Sequence, residues 1–247
     1  YIVGGMPEVV YSWINEKDIE KVNKIQENIL LSYEEDFSKH IDAAEANKVS
    51  LIWNGIPSQL ARENKKFVYQ VVKDGARARE YESALNWLND ANLICKCYSV
   101  NKCAFPLKAY TDLSSFKIYM NDVGLLRKMA NLDSSIILDG NKLFEEFKGA
   151  FTENYVANTL NYLFDSAPYY YTFDRNEIDF VLQIKNEIIP IEVKSDKSTN
   201  NSSLTKYNLK NINNYSYRFS LNNLTKDEKI INIPLYLIEY IDKIDFE

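Results

Sequence analysis

An α/β (α+β) fold, helices first and a mixed sheet after them, is what this sequence predicts. Three observations carry the prediction. Apolar residues recur at helical spacing near the start, at Val9, Val10, Trp13 and Ile14, then at Ile19, Val22, Ile25, Ile29 and Leu30. Short apolar runs of strand length follow Ala91, at Leu93–Tyr98 and Phe116–Met120. Further on, Glu177-Ile178-Asp179-Phe180-Val181-Leu182 and Ile191-Glu192-Val193-Lys194-Ser195 read as the two arms of a charged hairpin.

In chain order, Pro7 opens the first helix. A second spans Asp18 to Tyr33, with Glu34-Glu35-Asp36 as an acidic turn after it. From Lys48 the pattern changes. Val49–Trp53 and Leu60 begin a helical unit with Pro57 and Ser58 at a start, and Lys65–Val71 precedes Gly75. A longer helix from Arg77 to Ala91 buries Tyr81, Leu85 and Leu88. Helices followed by two short strands describe a winged helix. A helix near Phe144–Leu160 comes next, its apolar face marked by Phe144, Phe147, Phe151 and Tyr155. Strand Tyr169–Phe173, the charged hairpin, a helix near Leu204–Ile212 and strands at Tyr215–Leu221 and Ile230–Ile238 complete the chain. The Ser/Asn/Lys-rich stretch from Ser195 to Ser203 reads as a loop at the mouth of a site. Three segments are expected: helices over 1–49, the winged helix over 50–128, and the mixed-sheet domain over 129–247.

The hairpin fixes its own register. With a turn at Lys185-Asn186, Asp179 faces Glu192, while Ile178, Phe180 and Leu182 meet Val193, Ile191 and Ile189. A slip of one residue would mix charge into that apolar face. Opposed carboxylates with Cβ atoms roughly 4.5–5.5 Å apart repel each other. A hard divalent cation, magnesium or manganese, is the natural offset, with Asp179 and Glu192 as its ligands. Lys194, on the same face as Glu192, is placed to polarise a water or a phosphate. Taken alone, Glu-Val-Lys is a common solvent-facing strand pattern. The opposed aspartate and an upstream helix acid, Glu153, are what raise it above that. Glu153 lies off the apolar stripe of its helix, where an ordinary solvated acid also sits.

Helix glutamate, strand Asp179, then Glu192-Val193-Lys194 resembles the active-site order of the PD-(D/E)xK nuclease superfamily, the restriction-endonuclease-like fold. Gly4-Gly5-Met6-Pro7-Glu8, Lys117-Ile118-Tyr119-Met120-Asn121-Asp122-Val123-Gly124-Leu125 and Glu177-Ile178-Asp179-Phe180 narrow the likeness. Together they resemble the C-terminal region of a prokaryotic family of AAA+-type ATPases, in which a P-loop domain precedes a winged helix and a nuclease-like domain of unknown function. The resemblance implies Glu153, Asp179, Glu192 and Lys194 as catalytic residues, and DNA and the protein's own ATPase domain as partners. No phosphate-loop motif occurs, and Gly4-Gly5 lacks the lysine and hydroxyl one needs. The chain begins at Tyr1, so a C-terminal piece of a longer protein is expected, with ATP bound only on the missing N-terminal domain.

At 247 residues, 46% hydrophobic and 13% aromatic, the chain has material for a sizeable core. No apolar run reaches membrane-spanning length and no signal segment opens the chain, so a cytoplasmic protein is expected. Cys95, Cys97 and Cys103 lack zinc-ribbon spacing, and His40 is a lone histidine far from them, so they read as small hydrophobes in a reduced compartment. The net charge of −6 is unevenly spread: −5 over residues 1–59, +5 over 60–128 and −6 over 129–247. Lys65, Lys66, Lys73, Arg77 and Arg79 are the residues expected near DNA phosphates. Three functions fit: a metal-dependent DNA phosphodiesterase, a regulatory binding module without turnover, and an assembly element of an oligomeric ATPase ring. The acidic last segment, which opposes DNA approach, favours the second.

Overall fold

The computed structural model describes residues 1–138, 145–198, 202–211, 215–241 and 243. Helices α1 (Pro7–Glu16), α2 (Ile19–His40), α3 (Ala43–Asn54), α4 (Ile56–Leu60), α5 (Tyr69–Val72) and α6 (Ala78–Asp90) come first. Strands β1 (Ile94–Val100) and β2 (Thr111–Met120) follow, then α7 (Val123–Met129), α8 (Ser134–Leu138) and α9 (Glu145–Phe164). Strands β3 (Tyr169–Phe173), β4 (Asn176–Ile184) and β5 (Glu187–Val193) lead to α10 (Ser202–Lys210), then β6 (Ser216–Ser220), β7 (Thr225–Asp227) and β8 (Ile230–Pro234). This is the α+β order that the sequence predicts. Expected Phe144 and Ile212, and residues 199–201 of the loop, lie outside the described residues.

The chain divides into two compact units. One comprises Tyr1–Lys96 with Ile118–Tyr155, the other Cys97–Lys117 with Val156–Glu247. The expected segment 1–49 and most of the expected segment 50–128 therefore fall within one unit, with Cys97–Lys117 in the other.

In the first unit, short polar side chains set where helices begin. Asp18 accepts from Glu20 N at 2.9 Å to start α2, and Asp42 from Ala44 N at 3.0 Å to start α3. The acidic turn expected at Glu34-Glu35-Asp36 is instead part of α2. Glutamate favours helix, Asp36 pairs with Lys39 one turn on at 2.8 Å, and Phe37 is buried. The Phe37 ring meets Trp53 and Trp87 edge-on, at 5.8 and 5.5 Å, and so joins α2 to α3 and α6.

A buried polar web holds the opening residues. Gly5 N donates to Asp122 Oδ2 at 2.6 Å, while Asp122 Oδ1 caps α7 through Leu125 N at 2.7 Å. Gln26 Nε2 donates to Ile2 O at 2.8 Å, and Arg127 donates to Gln26 Oε1 at 2.6 Å. A Cβ at Gly124 would lie 2.7 Å from Val3 O and 2.8 Å from Gly4 N, too close for any side chain.

The sheet runs β2-β1-β3-β4-β5-β6-β8-β7. The two strands read as a wing are its β2 and β1, and β1 pairs in parallel with β3 at Ser99 and Val100. Strands β3, β4 and β5 are antiparallel neighbours, whereas β5, β6 and β8 are parallel. Phe180 pairs with Ile191, Leu182 with Ile189 and Ile184 with Glu187, the register expected from the alternation. Against β3, however, β4 carries an extra residue: Tyr169 pairs with Val181 but Tyr171 with Ile178. That bulge draws Ile178 into a cluster with Val181, Leu204 and Tyr207 rather than leaving it simply in line with Phe180.

Candidate functional site

Asp179 and Glu192 sit on adjacent strands of the second unit. Asp179 is half-buried and Glu192 buried. Asp179 Oδ2 accepts the main-chain N–H of Val193 at 2.7 Å, which fixes the carboxylate beside the end of β5. The adjacent bulge is the device that re-aims this part of β4. Lys194 Nζ donates to Glu192 Oε1 at 2.6 Å, and Lys194 N donates to Phe219 O at 2.8 Å. Burial pulls the Lys194 ammonium down. The hydrogen bond to Glu192 and the charges of Glu192, Asp179 and Asp196 outweigh that and raise it above its ordinary value, so it stays protonated.

The sheet extends this polar row beyond what the sequence reading named. In the parallel register Glu192 lies beside Arg218, and Arg218 beside Asn232. Arg218 Nε donates to Asn232 Oδ1 at 2.8 Å, and Ser220 Oγ donates to the same oxygen at 2.7 Å. Arg218, Ser220 and Asn232 are all buried. The signal for Arg218 was present in Ser216-Tyr217-Arg218-Phe219-Ser220, a strict polar–apolar alternation in which all five residues are buried. Partners on β5 and β8 are what reveal it, and these are remote in sequence.

The other expected residues lie in the first unit. Glu153 is buried on α9, accepting from Lys65 Nζ at 2.5 Å and from Tyr119 Oη at 3.3 Å. The solvated position expected for that acid is therefore replaced by a buried ion pair, and Lys65, expected at phosphates, is the cation that holds it. Lys66, Lys73, Arg77 and Arg79 are exposed. Elsewhere in the second unit, buried Lys117 pairs with Glu177 at 2.5 Å and lies 4.9 Å from the Tyr170 ring centroid.

Among the described residues, no group of three or more His, Cys, Asp and Glu gathers as a metal cage. Two carboxylates on neighbouring strands still fit magnesium or manganese, since such ions keep several waters and complete their shells with phosphate. The donors are hard oxygens throughout, which does not suit zinc. Cys95, Cys97 and Cys103 are not joined in disulfides, and burial pushes both the Cys95 and Cys103 thiols up to about 12. Their expected role as small hydrophobes agrees with that. No helix among the described residues is long and apolar enough to cross a membrane.

No curated protein and no solved structure matches the chain. Two family models do. Residues 148–238 match a domain of unknown function, DUF4143, which spans the hairpin, Arg218 and Asn232. Residues 1–136 match a second one, DUF8612. With more than half of its length under that model, this chain belongs to the DUF8612 family of domains of unknown function.

Proposed function

We propose that the chain is the C-terminal part of an AAA+-type ATPase, and that its second unit is a nuclease-like domain hydrolysing phosphodiester bonds of DNA. The observation that carries this reading is the pair of acids on adjacent strands, Asp179 held by the Val193 N–H and Glu192 bonded to protonated Lys194. Burying such a cluster is costly for a fold, and perturbed, partly desolvated groups of this kind gather at functional sites. The DUF4143 match adds support, because that region is commonly the C-terminal part of ATPase-associated proteins.

Asp179 and Glu192 are the residues that hold magnesium or manganese, with the Val193 carbonyl as a further donor. A bound divalent ion supplies Lewis acidity and a more acidic water. The chain itself supplies position and fixed charge. Val193 N–H orients the Asp179 carboxylate, and Lys194 holds a positive charge where negative charge grows on a phosphate oxygen. Exposed Lys66, Lys73, Arg77 and Arg79, in the segment read as a winged helix, contact DNA phosphates.

A regulatory module without turnover is the second reading. It is favoured by the same contacts, since Asp179 is engaged by Val193 N–H and Glu192 by Lys194 with no cation needed. Calorimetric titration with magnesium and manganese, alongside cleavage of supercoiled and single-stranded DNA, separates the two. The nuclease reading expects metal binding that Glu192→Gln removes, and cleavage that Lys194→Ala removes while the melting curve is kept. DNA binding without cleavage, unchanged in Lys194→Ala, would leave the regulatory reading.

A further inference from the structure

Across the sheet runs a row of polar side chains at one level, Glu192 on β5, Arg218 on β6 and Asn232 on β8, and Asp179 on β4 is held beside the end of β5 by the Val193 N–H. Neighbouring strands lie about 4.8 Å apart, so Arg218 stands next to Glu192 in the row. Glu192 is 7% exposed, Arg218 6% and Asn232 1%. Asn232 fixes the guanidinium through Nε, and is itself anchored by donating Nδ2 to Asn223 O at 2.7 Å and Asn222 O at 3.1 Å. The charges facing Arg218 are those of Asp227, on exposed β7, and Glu192. A guanidinium cannot relieve its burial by losing a proton. With Lys194, which is bonded to Glu192 and feels the charge of Asp179, it therefore gives two fixed cations beside these two carboxylates.

We infer that Arg218 is the built-in counter-charge of this acidic pair, a positioning residue that steadies Glu192 and sets how weakly the pair takes a divalent cation. The inference rests on the reading of Asp179 and Glu192 as cation ligands. It goes beyond that reading by naming the residue that tunes them. A divalent ion arriving beside a row already balanced meets repulsion from Arg218 as well as attraction from the carboxylates. Removing the guanidinium charge removes part of that repulsion, and a gain in affinity is something structural damage does not produce.

The test is a magnesium titration by calorimetry, in the absence of DNA, on the parent chain, Arg218→Gln, Arg218→Lys and Asn232→Asp. Glutamine keeps a donor for Asn232 without the charge, and Asn232→Asp cancels the charge in place should Arg218→Gln fail to fold. Both are expected to bind magnesium roughly tenfold more tightly than the parent, while Arg218→Lys matches the parent. Parent-like or weaker binding in a folded Arg218→Gln or Asn232→Asp chain overturns the role of Arg218 alone. Binding by none of the four chains overturns both this inference and the cation-site reading beneath it.

Discussion

Single side chains in this protein are tuned chiefly by burial. The Cys95 thiol is buried on β1 and pushed up to about 12 by loss of solvent. A thiol whose folded value is raised stabilises the fold fully below the unfolded value of 9.0, and that contribution fades as pH rises toward about 12. Denaturation midpoints of the parent are thus expected to fall between about pH 8 and about pH 10, and Cys95→Ala is expected to narrow that fall. An unchanged difference in Cys95→Ala would assign the alkaline loss elsewhere. Gly4 and Gly124 show the opposite constraint, set by space and not by charge. Gly4 adopts φ +72 with the Asp122 carboxylate against the place a Cβ would occupy, and Gly124 is pressed against Val3 O and Gly4 N. Both glycines belong to short motifs legible in the sequence, yet the reason for each is a contact with a residue far along the chain.

Whole elements are joined by side-chain amides that stand in for backbone. Asn154 on α9 donates to Met120 O at 2.9 Å and accepts from Met120 N at 2.8 Å, closing both main-chain groups at the end of β2. Gln59 does the same for Val68, at 2.8 and 3.1 Å. Asn154→Ala would strand a buried N–H and C=O together. A loss of roughly 2–4 kcal/mol in urea unfolding is expected; a loss well under 1 kcal/mol would show that water replaces the amide. Neither bridge is legible in the sequence, because an isolated Asn or Gln in a helix carries no period. Helix starts were easier to read: Pro7 lies just inside α1, and the start expected at Asp18 is one residue before Ile19, where α2 begins with Asp18 as its cap. The end of α2 was misread, because a run of acids looks like a turn until Phe37 is seen to be packed against two tryptophans.

At the scale of the molecule, net charge and its placement bear on the DNA contact proposed above. The chain carries −6 overall, with the basic surplus confined to residues 60–128. If Lys66, Lys73, Arg77 and Arg79 contact phosphates as proposed, replacing all four with glutamine lowers affinity. The slope of log affinity against log salt should then flatten by roughly one for each phosphate no longer neutralised. Lys65→Gln is expected to leave the slope unchanged, because its ammonium is committed to Glu153 at 2.5 Å. A slope that flattens for Lys65→Gln as much as for the other four would show that the pair opens on binding.

By itself, the sequence determined the α+β order, the start of the first helix at Pro7, and the pairing of β4 with β5. Each of these rests on local physics: a period, a proline, or an alternation that a one-residue slip would ruin. Tertiary structure alone decided that Arg218 and Asn232 line up beside Glu192, that Glu153 is held by Lys65, and that Lys117 meets Glu177. Those pairings depend on strand order and helix packing, which bring together residues dozens of positions apart. Buried charges find their partners only when the sheet closes, and no spacing along the chain records which partner that is.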